Sequence, residues 1–220
     1  MSFVAGMVNV MGFLSIQRLT TNITGHFAYF VDEVFKLNFW QGFIFFLYIF
    51  FFFLGSFTSN FLVEMVARKK ARVAYVVPVA VESLLLFLGA LFGNQLALKA
   101  PDSLAFLLLF AMGLQNSLVT TISNAAVRTT HLTGLFTDLG IELSQLFFYK
   151  EKEEKSKLRS SIKLRLTIIS FFFLGGLAGG IIYTAYGLRG LALAGALLVA
   201  GTFYDRVKFR LIKFKRKRHR

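Results

Sequence analysis

The side chains that could do chemistry here are charged and hydrogen-bonding groups set inside apolar runs. Arg18 and Arg128 stand in such runs, each just ahead of or within a Thr-Gly motif, Thr20-Thr-Asn-Ile-Thr-Gly25 and Thr129-Thr-His-Leu-Thr-Gly134. Glu82 stands near the middle of another run, and Asp138 and Glu142 follow Gly134 by one and two helical turns. A charge at membrane depth costs at least ~2.5–3.5 kcal/mol on insertion scales, so each of these groups needs a partner or a task. For the arginines two readings stand: they line a cavity and attract an anion, or they pair with a carboxylate or snorkel to a headgroup. Glu82 is a candidate proton site, with a structural salt bridge to Arg18 or Arg128 as the other reading. Asp138 and Glu142 could line the cytoplasmic exit, with Asp138 a second candidate for proton or ion coupling, or could solvate a helix face near the interface.

If each Thr-Gly pair begins a half-helix, Thr24 and Thr133 can cap its orphan amides. A helix N-terminus then behaves as roughly +0.5 charge with free N–H donors. Two such ends facing one another suit a small anion or a solute carboxylate. Gly25 and Gly134 fit there because a missing side chain allows close backbone approach. Thr21, Asn22, Thr130 and His131 fill the two breaks, and hydrogen bonding is expected of Asn22 and His131 rather than proton transfer. Asn9 and Asn116 share a recurring position, either as solute ligands or as interhelical hydrogen bonds worth ~0.6–2 kcal/mol. No second His or Cys accompanies His131 in a ligand spacing, so no metal is expected.

These residues need an apolar scaffold, and composition supplies one. The 220-residue chain is 56% hydrophobic with 28 phenylalanines and a mean hydropathy of +0.64, beyond the ~45–50% apolar content of a soluble domain. Spans are predicted at roughly 3–36, 40–63, 73–92, 103–149, 165–187 and 188–206. The first and fourth are too long for one crossing, and their polar interruptions at 17–25 and 116–134 predict half-helices joined at membrane depth. The fold expected is an all-α polytopic membrane protein of about six transmembrane helices.

The formal charge of +14 is a topology signal. Basic residues gather at Arg68 to Arg72, at Lys150 to Arg165 and at Arg206 to Arg220. With six spans all three regions fall on one side, which the positive-inside rule makes cytoplasmic, with both termini inside. That distribution argues against nucleic-acid binding, while the polybasic tail, 207–220, could touch anionic lipid. The chain has no cysteine, which excludes disulfides and thiol metal sites. Met1 leads into an apolar segment without a basic n-region, so no cleavable signal is expected.

The two halves, 1–95 and 103–206, resemble one another. Gly6-Met-Val-Asn9 recurs as Gly113-Leu-Gln-Asn116, the Thr-Gly motifs follow in the same order, and Phe51-Phe-Phe-Leu-Gly55 recurs as Phe171-Phe-Phe-Leu-Gly175. An odd number of spans per half sets the second upside down, the 3+3 inverted repeat of many secondary transporters. Gly175, Gly176, Gly179 and Gly180 read as a close-packing surface.

The pattern from Gly6 to Gly25, ending in Thr-x-x-x-Thr-Gly, resembles the signature of the YoaK-like family of bacterial membrane proteins, domain of unknown function 1275. The likeness covers essentially the whole chain, including Gly113 to Asn116 and Thr130 to Gly134. It departs at Asn9, where the family more often has Asp, and at His26, where it more often has Asn. The resemblance implies a six-helix inner-membrane protein and supplies no substrate, reaction or cofactor.

No phosphate-binding glycine loop, metal-ligand cluster or nucleophile motif is present, so neither an enzyme nor a cofactor is expected. A secondary transporter for a small anionic or zwitterionic solute, bound at the midplane between two half-helix N-termini, accounts for the halves, breaks and charges together. A passive channel accounts for all but Glu82, and a non-transporting scaffold leaves the breaks idle. A homo-oligomer is compatible with each.

Overall fold

The computed structural model describes residues 1–70, 73–123, 131–149 and 151–218, side chains excepted at 69–70 and 205–218. Among these residues every regular element is helical: α1 (Ser2–Ile16), α2 (Ile23–Phe35), α3 (Phe39–Lys70), α4 (Val76–Lys99), α5 (Pro101–Ile122), α6 (Leu132–Phe148), α7 (Lys152–Tyr186), a 3-10 turn (Gly187–Gly190) and α8 (Leu191–Arg218). The first expected interruption, 17–25, is present between α1 and α2 at 17–22, whereas of the second, 116–134, residues 116–122 belong to α5 and 132–134 to α6, and 124–130 lie outside the described residues.

Among the described residues four helical segments are long and apolar enough to cross a membrane: Phe39–Arg68, Val76–Lys99, Pro101–Ile122 and Lys152–Tyr204. The chain is a membrane protein by this measure, and its surface agrees. Phe53, Phe57, Phe61, Leu91 and Ile181 all stand outward and exposed, where lipid can cover them. Lys152–Tyr204 holds 53 residues, which would run ~80 Å as one helix. It turns back instead. Gly187 takes φ +59, a conformation glycine adopts without penalty, and the Leu188 amide donates to Asn94 Oδ1 at 3.1 Å.

Contacts fix the direction of each helix relative to its neighbours. Along α3 and α5, Tyr48 pairs with Asp102, Phe51 stacks on Phe106, and Gly55 meets Phe110, so these helices run parallel. Along α1 and α7, Phe3 meets Gly175, Met7 meets Gly179 and Val10 meets Gly180, again in parallel. The α1 and α5 helices are antiparallel: Gln115 Nε2 donates to the Met1 carbonyl at 2.9 Å, while Gly12 packs on Leu108. Along α4 and α8, Ser83 faces Gly195, Gly89 faces Leu191 and Gly93 faces Leu188, also antiparallel. Fully buried Met7, Met11, Leu86, Leu108, Met112 and Leu191 fill the space between.

Backbones approach closely at glycines. A methyl group on Gly6 would strike the Phe172 carbonyl, and one on Gly113 would strike the Phe52 carbonyl. One on Gly175 would strike Phe3, and one on Gly55 would strike Phe110. Small residues allow this approach where apolar attraction between helices is weak, so the expected packing role of Gly175 and Gly179 is met.

Candidate functional site

The first break starts at Gln17, whose left-handed φ of 53° ends α1. The chain then dips back into the bundle: Thr20 is buried against Gly12, and the Thr21 hydroxyl donates to Asn9 Oδ1 at 2.8 Å. The next helix is capped by Asn22, whose Oδ1 accepts the Gly25 amide at 3.0 Å. This corrects the expectation for Thr24. A cap needs non-helical backbone, which Asn22 has at φ −106°, ψ 85°, whereas Thr24 already lies inside α2 with an exposed side chain. Thr133 is likewise inside α6, and His131 holds the cap position without a side-chain bond.

The two motif glycines make room for their own helix caps. A Cβ on Gly25 would lie 3.2 Å from the Asn22 amide nitrogen, and one on Gly134 would strike the His131 ring.

Beside the first break lies a cluster that sequence reasoning missed. His26 is buried and its Nε2 donates to the Leu19 carbonyl at 2.5 Å, while Nδ1 has no partner among the described residues. Its ring packs edge-on to Tyr48 at 4.9 Å, and the fully buried Tyr48 hydroxyl donates to Asp102. The half-buried Arg18 guanidinium sits 5.7 Å from the Phe45 ring centroid, within range of a cation–π attraction. A histidine directly after the Thr-Gly motif was the available signal. Tyr48 and Asp102 are separated by 54 positions, and nothing local links them.

Glu82 is fully buried on α4, and neither carboxylate oxygen has a hydrogen-bond partner among the described residues. The expected salt bridge to Arg18 is absent. Glu82 packs toward the Met1 end of α1, whose amino group acts on it electrostatically, whereas Arg18 lies beyond the other end, ~25 Å away along the axis. Register places further polar groups at the same depth. Gly89 faces Leu107, so Glu82, two turns earlier on the antiparallel helix, is level with Gln115. Ser56 donates to the Gly113 carbonyl at 3.2 Å, so Ser59, one turn on, is level with Asn116. Ser59 Oγ, Gln115 Oε1 and Asn116 Oδ1 are also buried without partners. Such unmade bonds cost ~1–3 kcal/mol each unless a water, proton or ligand fills them.

At the second break Asn116 and His131 are described, while Arg128 and Thr130 lie outside the described residues. Asp138 is half exposed and ion-paired. Its carboxylate is 2.9 Å from Arg165, and Glu142 takes both Arg165 Nε and NH2 at 3.0 Å together with the Ser161 hydroxyl at 2.6 Å. On the loop side of the other hairpin, Asp32 holds the Lys36 ammonium above its ordinary pKa through a hydrogen bond and its charge. No group of three or more His, Cys, Asp or Glu gathers among the described residues.

The family model described as "Protein of unknown function (DUF1275)" matches residues 1–204. The chain belongs to that family. The matched range takes in both Thr-Gly motifs, Glu82 and the Arg165 cluster. No curated protein and no solved structure matches the chain.

Proposed function

We propose that this DUF1275 protein is a secondary transporter of a small anionic or zwitterionic solute, multi-pass in a bacterial inner membrane with both termini cytoplasmic. One observation carries the reading: matched glycines make matched contacts. Gly6 meets Phe172 as Gly113 meets Phe52, and Gly175 meets Phe3 as Gly55 meets Phe110, on helix pairs whose α1 and α5 members run in opposite directions. Such paired contacts support a 3+3 inverted repeat, the plan of many secondary carriers.

The opposed halves aim α2 and α6 in opposite directions, each starting within the bundle, with Ile23 and Leu132 packed on the cores. Helix α2 follows the C-terminal end of α1 and α6 follows that of α5, and these lie at opposite ends of an antiparallel pair. Solute would therefore meet the first-turn amides of α2 and of α6 one after the other. Asn9, Thr21 and Arg18 stand on one side and Asn116 and His131 on the other; Arg128 and Thr130, outside the described residues, are candidates by their place in the second motif. Glu82 would carry the coupling proton, since an unpaired intramembrane carboxyl is a natural place to hold one. Buried Met7, Met11, Leu108 and Met112 fill the α1–α5 seam, which favours a carrier that closes over its solute above an open channel.

Purified protein in liposomes should show saturable, counterflow-competent uptake of a small carboxylate or inorganic anion. Uptake unchanged in Arg18→Ala would remove the anion-binding role. Flux that is independent of pH and unaltered by Glu82→Gln would sink proton coupling. Linear, non-saturating conductance would replace the carrier by a channel.

A further inference from the structure

We infer that the groove between α6 and α7 is a binding site for one anionic phospholipid. The groove is about 420 Å³ and runs along α7 past Arg159, Lys163, Leu166, Phe171 and Leu174, with Leu146 of α6 on its wall. These positions fall three to five apart in sequence and so share one helix face. The face changes character along its length. From Leu166 to Tyr186 α7 carries no charge, and that stretch measures ~31 Å, the full hydrocarbon thickness. Arg159 and Lys163 therefore stand at headgroup depth, while Leu166 to Leu174 covers ~12 Å of one leaflet.

Charge complementarity selects the occupant. Among nearby acids, Asp138 and Glu142 pair with Arg165 and Glu153 with Lys157 at 2.7 Å, and Glu151 and Glu154 lie on the side of Arg159 away from the apolar stretch. Arg159 and Lys163 are exposed and make no ion pair among the described residues. Two free cations above an apolar trough match a phosphate headgroup above an acyl chain, and basic pockets between transmembrane helices bind lipid headgroups in this way. The site is distinct from the polybasic tail and does not depend on the transport reading.

Native mass spectrometry of the full chain, titrated with phosphatidylglycerol and with phosphatidylcholine, tests this. Phosphatidylglycerol is expected to bind at least about tenfold tighter, and Arg159→Gln with Lys163→Gln to weaken it about 30-fold, roughly fivefold per charge. The charge-keeping Arg159→Lys with Lys163→Arg should retain it. Equal retention of the two lipids overturns the proposal, as does a charge-keeping variant that loses lipid like the glutamine one. Replacing the tail's Lys213, Lys215, Arg216, Lys217 and Arg218 with Gln should leave the tight lipid bound; its loss there, with the groove variant unaffected, would move the site to the tail. Displacement by glycerophosphoglycerol at the affinity of the whole lipid would remove the acyl-chain half of the site.

Discussion

The α2–α3 and α6–α7 hairpins occupy matched places and hold together by different chemistry. Four residues past its Thr-Gly glycine, α2 carries Tyr29, and ten before its Phe-Leu-Gly glycine, α3 carries Phe45. These rings stack at 5.2 Å. The same offsets in the second half give Asp138 and Arg165, an ion pair at 2.9 Å. Backbone arrangement is thus indifferent to the pair that bridges it, provided the two side chains are complementary. The aromatic hairpin, rimmed by exposed Phe39 and Trp40, has the residues of a membrane-interface belt. The ionic one leads into the basic start of α7.

Breaking what the halves share should cost most. Gly6→Ala and Gly113→Ala each force a Cβ into a facing backbone carbonyl, and each should lose about 3 kcal/mol, the upper end of overpacking. Thermal unfolding in detergent would show it, with Gly180→Ala, whose nearest contact is 3.7 Å, close to neutral. Unequal losses at Gly6 and Gly113 would undermine the equivalence of the two halves.

Breaking what differs should cost less and separate the hairpins. A double-mutant cycle on Glu142→Gln and Arg165→Gln should give a coupling of about 2 kcal/mol, since both side chains are only 14% and 16% exposed. The Tyr29→Ala and Phe45→Ala cycle should give about 1 kcal/mol. Only the ionic coupling should fall with added salt; equal salt dependence would contradict the distinction. Smallest is the cap. Asn22→Ala should cost about 1 kcal/mol, and Thr24→Ala under about 0.5 kcal/mol. A Thr24→Ala loss equal to that of Asn22→Ala would restore the threonine as the cap.

Much of the scaffold was legible from local features. Apolar run length placed α3, α4, α5 and α7, and polar interruption placed both breaks, because burial in lipid and backbone hydrogen bonding act on contiguous residues. The site was less legible. A Thr-Gly pair reads as a threonine cap, yet the backbone becomes helical one residue after Asn22, and that residue's own φ and ψ decide who caps.

Charges were the least legible of all. Their presence in apolar segments could be read from residue order, whereas their partners could not. Arg165 takes both Asp138 and Glu142 because α6 folds antiparallel onto α7, and Tyr48 reaches Asp102 because α3 lies beside α5. Glu82 has no hydrogen-bond partner among the described residues because it packs toward the Met1 end of α1, whereas Arg18 lies beyond the other end. Hydropathy and turn preference are properties of neighbours along the chain, so they survive in the sequence. Which two faces meet depends on how all the helices pack at once, and it is that packing which chose the partners of Arg165 and Tyr48.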